Sequence, residues 1–176
     1  MFRVDGQWPA VDEGLDPYPI WVAEVMLQQT QLQVVLPYWK RWMEAFPSLE
    51  TLAQASEQHV LLLWQGLGYY SRARRLHATS RLLLAQLESN AGASCDFRQL
   101  RHWPVDPEIW LALPGIGRST AGGILSSAFN SPLAILDGNV RRVLARLHAH
   151  PHPPMRAQAQ FWAWSEELIE EVPGLS

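Results

Sequence analysis

One carboxylate stands where a carboxylate is costly. Glu24 lies in Ile20-Trp21-Val22-Ala23-Glu24-Val25-Met26-Leu27-Gln28-Gln29-Thr30-Gln31, a stretch whose pattern predicts a helix that is apolar almost all round. At about 100° per residue, Glu24, Gln28 and Gln31 share one narrow stripe of that helix. Burying a carboxylate charge is expensive unless it is paired, so desolvation raises the pKa above its usual value of about 4.3. Such a group can hold a proton at working pH. The alternative is a glutamate that points into solvent beside Gln28.

Two further clusters carry chemistry. Asp137 opens Leu136-Asp137-Gly138-Asn139-Val140, ahead of a helix with Val140, Val143, Leu144 and Leu147 on its apolar stripe. Capping that helix is the plain structural role for either Asp137 or Asn139. In Gln65-Gly66-Leu67-Gly68-Tyr69-Tyr70-Ser71-Arg72-Ala73-Arg74-Arg75, two tyrosines sit at a glycine hinge beside three arginines. A glycine C-cap, a turn and a helix burying Ala73, Leu76, Leu83 and Leu87 explain the glycines but not that grouping. Aromatic tips flanked by cations suit a wedge that fills the gap left by a flipped base, while arginines hold the backbone.

The element that must position these groups is Leu113-Pro114-Gly115-Ile116-Gly117, a tight hairpin between two helical patterns. Pro114 ends the first helix, and Gly115 and Gly117 permit a left-handed backbone and close approach. The next helix starts near Arg118 and carries Ala121, Ile124, Leu125 and Ala128 at core spacing. Its unpaired N–H groups, at the positive end of the dipole, suit a phosphate.

LPGIGRSTAGGILS followed by ILDGNVRRVLAR resembles the helix-hairpin-helix DNA glycosylase superfamily, and within it the MutY-type adenine DNA glycosylases. AEVMLQQTQ after DPYPIWV is similar to that branch's catalytic-glutamate helix, and GLGYYSRARRLH to its tyrosine wedge signature. The resemblance runs from about Asp16 to Glu171. It implies an all-α fold: a helix-hairpin-helix glycosylase core over 18–150 after a lead-in over 1–17. Residues 151–176 would be a linker and the start of a second helical domain left incomplete. It also implies roles. Glu24 protonates adenine, Asp137 faces the sugar of the extruded nucleotide, and Asn139 with Glu24 orients water. Gln28 lines the base pocket, Gln29 meets the duplex at the lesion, and Tyr70 is the wedge. Gly115 and Gly117 grip a phosphate, often with a bound monovalent cation, and Arg118, Arg72 and Arg74 add charge. Ser119, which stands where strand-cleaving relatives carry a lysine, joins Gln28, Gln29 and Tyr70 at the base pocket and lesion. Residues 88–108 read as a loop longer than the family's usual connection.

The implied activity is hydrolysis of the N-glycosidic bond of adenine opposite 8-oxoguanine or guanine in duplex DNA, by a monomer. Alternatives are a non-catalytic DNA-binding module that uses the hairpin alone, or the same fold acting on another base. A pure binder needs no acid in an apolar helix. The family usually continues into four cysteines around an iron–sulfur cluster, and many members add a domain that reads 8-oxoguanine. With one cysteine, Cys95, this chain is expected to bind no such cluster, and to be a fragment or a truncated relative. Cys95 reads as incidental, and His102, His148, His150 and His152 lack metal-site spacing.

Composition agrees with one domain or slightly less: 176 residues, 48% hydrophobic, nine tryptophans. The net charge of −3 hides an asymmetry. Segments 64–87 and 109–150 hold eight arginines against one acid, Asp137, so they carry +7 and the remainder −10. Cations around the two glycine-rich turns fit a phosphate-binding face. No signal peptide is legible and no apolar run reaches the ~18 residues of a membrane span, so a cytoplasmic site, nucleoid-associated if bacterial, is the expectation.

Overall fold

The computed structural model describes residues 15–91, 103–150 and 157–170. Most of the expected lead-in and loop, Cys95 included, and part of the expected linker lie outside these residues. Among the described residues there are nine helices and no strand. They are α1 (Pro17–Leu27), α2 (Leu32–Ala45), α3 (Leu49–Gln54), α4 (Glu57–Trp64), α5 (Tyr70–Ala91), α6 (Pro107–Leu111), α7 (Arg118–Phe129), α8 (Gly138–Leu147) and α9 (Gln158–Glu170).

Local chemistry sets the boundaries. Asp16 caps α1, its Oδ1 accepting from the Tyr18 N–H at 3.0 Å, and Pro17 occupies a position that needs no donor. Ser48 and Thr51 form a reciprocal capping box on α3, and Ser56 caps α4 by accepting from the His59 N–H at 3.2 Å. α2 runs unbroken through Pro37. α5 continues to Ala91, past the expected start of the loop at 88.

α1 is shorter than its apolar pattern suggests. It stops at Leu27, Gln29 takes φ +58°, and α2 begins after Gln31. The stripe joining Glu24, Gln28 and Gln31 is therefore cut after Gln28. The physical reason is a side chain: the carbonyls of Val25, Met26 and Gln28 accept hydrogen bonds from Arg72 of α5.

Tryptophans fill the main core. Trp21, Trp42, Trp64 and Trp110 are fully buried. Trp21 meets Trp110 edge-on at 6.4 Å and Trp42 meets Trp64 at 5.6 Å, an arrangement aromatic quadrupoles favour. Around them α1 packs on α2, α5 and α7, and α5 also on α3 and α4. A smaller cluster of Leu136, Leu144 and Phe161 joins α8 to α9, with His148 stacked on Trp164 at 3.8 Å. α1 and α7 lie side by side, and that packing builds the site.

Candidate active site

Glu24 leaves α1 toward α7 and lodges against glycine. A Cβ at Gly123 would stand 3.0 Å from Glu24 Oε2 and 3.1 Å from Cδ. Its absence lets the carboxyl lie directly on the α7 backbone. Glu24 is half-buried, and desolvation pushes its pKa above the ordinary 4.5. The nearby Asp137 carboxylate pushes it further in the same direction. Burial therefore disposes Glu24 to hold a proton. One turn beyond Glu24, Gln28 Nε2 donates to Thr120 Oγ1 of α7 at 3.3 Å.

Asp137 reaches this site along a strap that crosses α7. Asn130, at φ +54°, ends α7 and turns the chain back. The strap comes so close at Gly122 that a Cβ there would lie 2.6 Å from the Ala134 carbonyl oxygen. Two hydroxyls then fix it: Ser119 Oγ accepts from the Leu136 N–H at 2.7 Å, and Ser165 Oγ of α9 donates to the Ile135 carbonyl at 2.7 Å. Asp137 itself caps α8, its Oδ1 accepting from Asn139 N–H at 2.8 Å and Val140 N–H at 2.7 Å. The cap uses Oδ1 alone, and Oδ2 has no hydrogen-bond partner among the described residues. Asn139 sits exposed in the first turn of α8.

Gln29 and the tyrosines occupy two neighbouring turns. Gln29 is exposed at φ +58°; Tyr69, at φ +48°, is 62% exposed, and Tyr70, the first residue of α5, is 40% exposed. A left-handed backbone at a bulky residue such as Tyr69 is uncommon. Between the turns lies Arg72, and here the sequence reading needs correction. Arg72 is only 7% exposed, and its guanidinium faces inward onto backbone carbonyls, so it is not placed to meet a phosphate.

The hairpin is held from α5, with Thr79 Oγ1 donating to the Pro114 carbonyl at 2.9 Å. Gly115 takes φ +83°, and a Cβ there would press on the Arg75 stem at 3.0 Å. Gly117 is the N-cap of α7 without a side-chain cap, which leaves first-turn N–H groups open to an anion. The other arginines are engaged elsewhere. Arg74 pairs with Glu57 at 3.0 Å, whereas Arg118 pairs with Glu166 and covers the Trp162 ring at 4.0 Å. Arg75 is the cation beside the hairpin, exposed and without an ion pair among the described residues. Its spacing gave no distinguishing signal. Arg72 did give one, since it lies on the buried stripe four residues before Leu76.

Leu113 and Pro114 carbonyls each accept one hydrogen bond and keep a second lone pair, a donor type suited to a hard monovalent cation. Among the described residues no group of three His, Cys, Asp or Glu side chains could hold a metal ion, and a single cysteine in the chain cannot supply four thiolates. A cavity of about 390 Å³ between α6, α7 and α9 has Leu111, Leu133 and Ile169 in its wall, but none of Glu24, Gln28 or Asp137.

A model of the HhH-GPD superfamily base excision DNA repair proteins matches residues 22–167, which include Glu24, both glycine turns, the hairpin and Asp137. The chain belongs to this superfamily. Among curated relatives, this HhH-GPD chain is 40% identical over 160 residues to the adenine DNA glycosylase of Homo sapiens, covering 89% of this chain and 27% of that protein. It is also 40% identical over 134 residues to the adenine DNA glycosylase of Buchnera aphidicola subsp. Baizongia pistaciae, covering 76% of this chain and 35% of that one. The chain therefore spans about a third or less of the length of these relatives. A thermostable thymine-DNA glycosylase superposes with TM-score 0.70 at 20% identity, covering 94% of this chain and 71% of that one. A non-covalent endonuclease III–DNA complex gives 0.68 at 22%, covering 90% and 66%. These structural likenesses show the fold.

Proposed function

We propose that this chain carries the catalytic centre of a monofunctional adenine DNA glycosylase, which removes adenine opposite 8-oxoguanine or guanine in duplex DNA. The observation that carries the reading is the Glu24 carboxyl seated against Gly123, half-buried, raised in pKa and within the field of Asp137. A DNA-binding module has no use for such a pair. The relatives named above are adenine glycosylases, which supports adenine as the base.

In this mechanism the duplex is held at the hairpin, where Gly115, Gly117 and the open amides of α7 take a phosphate, with Arg75 beside them, while Arg118 stays paired with Glu166. A monovalent cation at the hairpin carbonyls would add to that hold. Tyr70 fills the gap in the stack, Gln29 meets the opposite strand, and the extruded adenine enters beside Gln28. Glu24 gives its proton to a ring nitrogen as the N-glycosidic bond breaks, the bonding electrons leaving with the base. The sugar becomes an oxocarbenium ion, stabilised by the Asp137 carboxylate across the strap. Water, oriented by Glu24 and Asn139, adds to C1′ and returns a proton to Glu24. Ser119 serves by fixing Leu136, and so Asp137, at the required depth. The product is an abasic site in an intact strand. We place the reaction in the cytoplasm, at the nucleoid if the source is bacterial; no helix among the described residues is long and apolar enough to cross a membrane.

The test is a single-turnover assay with three duplexes, A·8-oxoguanine, G·T and fully matched, monitoring released free base and bound fraction. Adenine from the first alone is expected. Thymine from G·T would move the activity to another base, and binding without release of any base would reduce the chain to a binding module.

A further inference from the structure

Arg72 is a buried cation that, among the described residues, has no carboxylate partner. Burying a charge is costly, and an apolar side chain would fill the same space more cheaply, so its retained contacts are informative. They fall into two sets. Nη1 donates to the carbonyls of Val25 at 3.2 Å, Met26 at 2.9 Å and Gln28, closing the C-terminal end of α1, where the helix dipole favours a cation. Nη2 donates to Thr30 Oγ1 at 3.2 Å and to the carbonyls of Leu67 at 3.3 Å and Gly68 at 3.4 Å. The guanidinium also stands over the rings of Trp64 and Tyr69, at 5.3 and 5.5 Å. One planar group thus grips both the Gln28–Thr30 turn and the Leu67–Tyr70 turn.

We propose that Arg72 is a positioning residue that couples these two turns, so that the Tyr70 wedge and the turn carrying Gln28 and Gln29 adopt their working geometry together. The idea rests on the proposed function for the roles of Tyr70, Gln28 and Gln29; the coupling itself does not. The guanidinium does what lysine cannot, since a single ammonium lacks the planar fork needed to reach both turns at once. Insertion of the wedge at a mispair and acceptance of a base in the pocket become one event. A duplex that satisfies only one of them gains little.

Two readouts test this. Thr30→Val deletes an Nη2 acceptor in the first turn and leaves the second untouched. Coupling requires that amide hydrogen exchange at Leu67 and Arg72, whose N–H groups bond to Trp64 O and Tyr69 O, quicken by about threefold or more in that variant. Unchanged exchange there overturns the coupling, whatever the activity. The second readout is affinity for a duplex with non-hydrolysable 2′-fluoro-adenosine opposite 8-oxoguanine, relative to matched duplex. Arg72→Lys should lower that ratio by about tenfold with matched binding unchanged. In the parent, losses from Gln29→Ala and Tyr70→Ala should be non-additive, and in Arg72→Lys additive. Additive losses in the parent, or equal weakening on both duplexes, would reduce Arg72 to a packing residue. A parent with no preference for the mispair, alongside coupled exchange, would refute the functional reading alone.

Discussion

Gly122 and Gly123 are adjacent on one helix, and alanine should act oppositely at the two. Each substitution gains about 0.5–1 kcal/mol of helix propensity. At Gly122 the new Cβ lies 2.6 Å from the Ala134 carbonyl, a backbone atom in a strap pinned at both hydroxyl contacts. Overpacking of that kind costs about 1–3 kcal/mol, so Gly122→Ala should lose about 0–2.5 kcal/mol net. The strap can only move outward, and it carries Asp137 three residues on. A displacement approaching 1 Å costs about 10²-fold in rate. At Gly123 the Cβ meets the tip of the Glu24 side chain at 3.0–3.3 Å. The carboxyl can yield a few tenths of an ångström for about 0.5–1.5 kcal/mol of torsional cost, which the helix gain offsets. Gly123→Ala should therefore fold as stably as the parent and release base no more than about tenfold slower. Urea unfolding and single-turnover release measure the two effects separately. Parental release and stability in Gly122→Ala, or greater damage at Gly123, would refute the assignment of the strap and the carboxyl to these glycines.

Because burial raises the Glu24 pKa above 4.5, the acid form should persist above the usual carboxylate range, and single-turnover release should fall as pH rises through that raised value. The folded state then binds this proton more tightly than the unfolded chain, so the stability Glu24 contributes is present below its unfolded value and lost as pH rises; urea titrations of Glu24→Gln should lack that loss. Tyr70→Ala should weaken mispair binding more than matched binding, by about 1–3 kcal/mol if the ring stacks in the gap, whereas equal losses would make it a packing residue. Borohydride should trap no covalent adduct: Ser119 Oγ is occupied by the Leu136 N–H and cannot form a Schiff base, and Lys40, the only lysine, is exposed on α2. An adduct mapped to Lys40 would overturn the monofunctional reading.

Helical periodicity, caps and glycine punctuation made much of the described fold legible, from the hairpin at Pro114 to the helix that Asp137 opens. What escaped was set by tertiary contacts. The apolar run through Leu27 and Gln28 reads as continuous helix, because the guanidinium that ends α1 comes from α5, 44 residues away. Arg72 is likewise drawn inside by contacts distant in sequence, in register with buried Leu76. For Arg75 the converse holds: only the packing of α5 on the hairpin distinguishes it from Arg74. Glu24 and Asp137 stood out, one by an unfavourable setting and the other by its place before a helix. The strap that joins them needs Gly122, Ser119 and Ser165, whose spacing has no local meaning.

Glu24→Gln tests the central claim most directly, by single-turnover release of adenine from an A·8-oxoguanine duplex with binding measured alongside. The amide keeps the shape against Gly123 and has no proton to give. Acid catalysis is worth about 10²–10⁴ in rate, so release should fall by at least that lower figure while mispair affinity stays within severalfold of the parent. Release at the parental rate would show that Glu24 is not the acid, and the mechanism built on it would not stand.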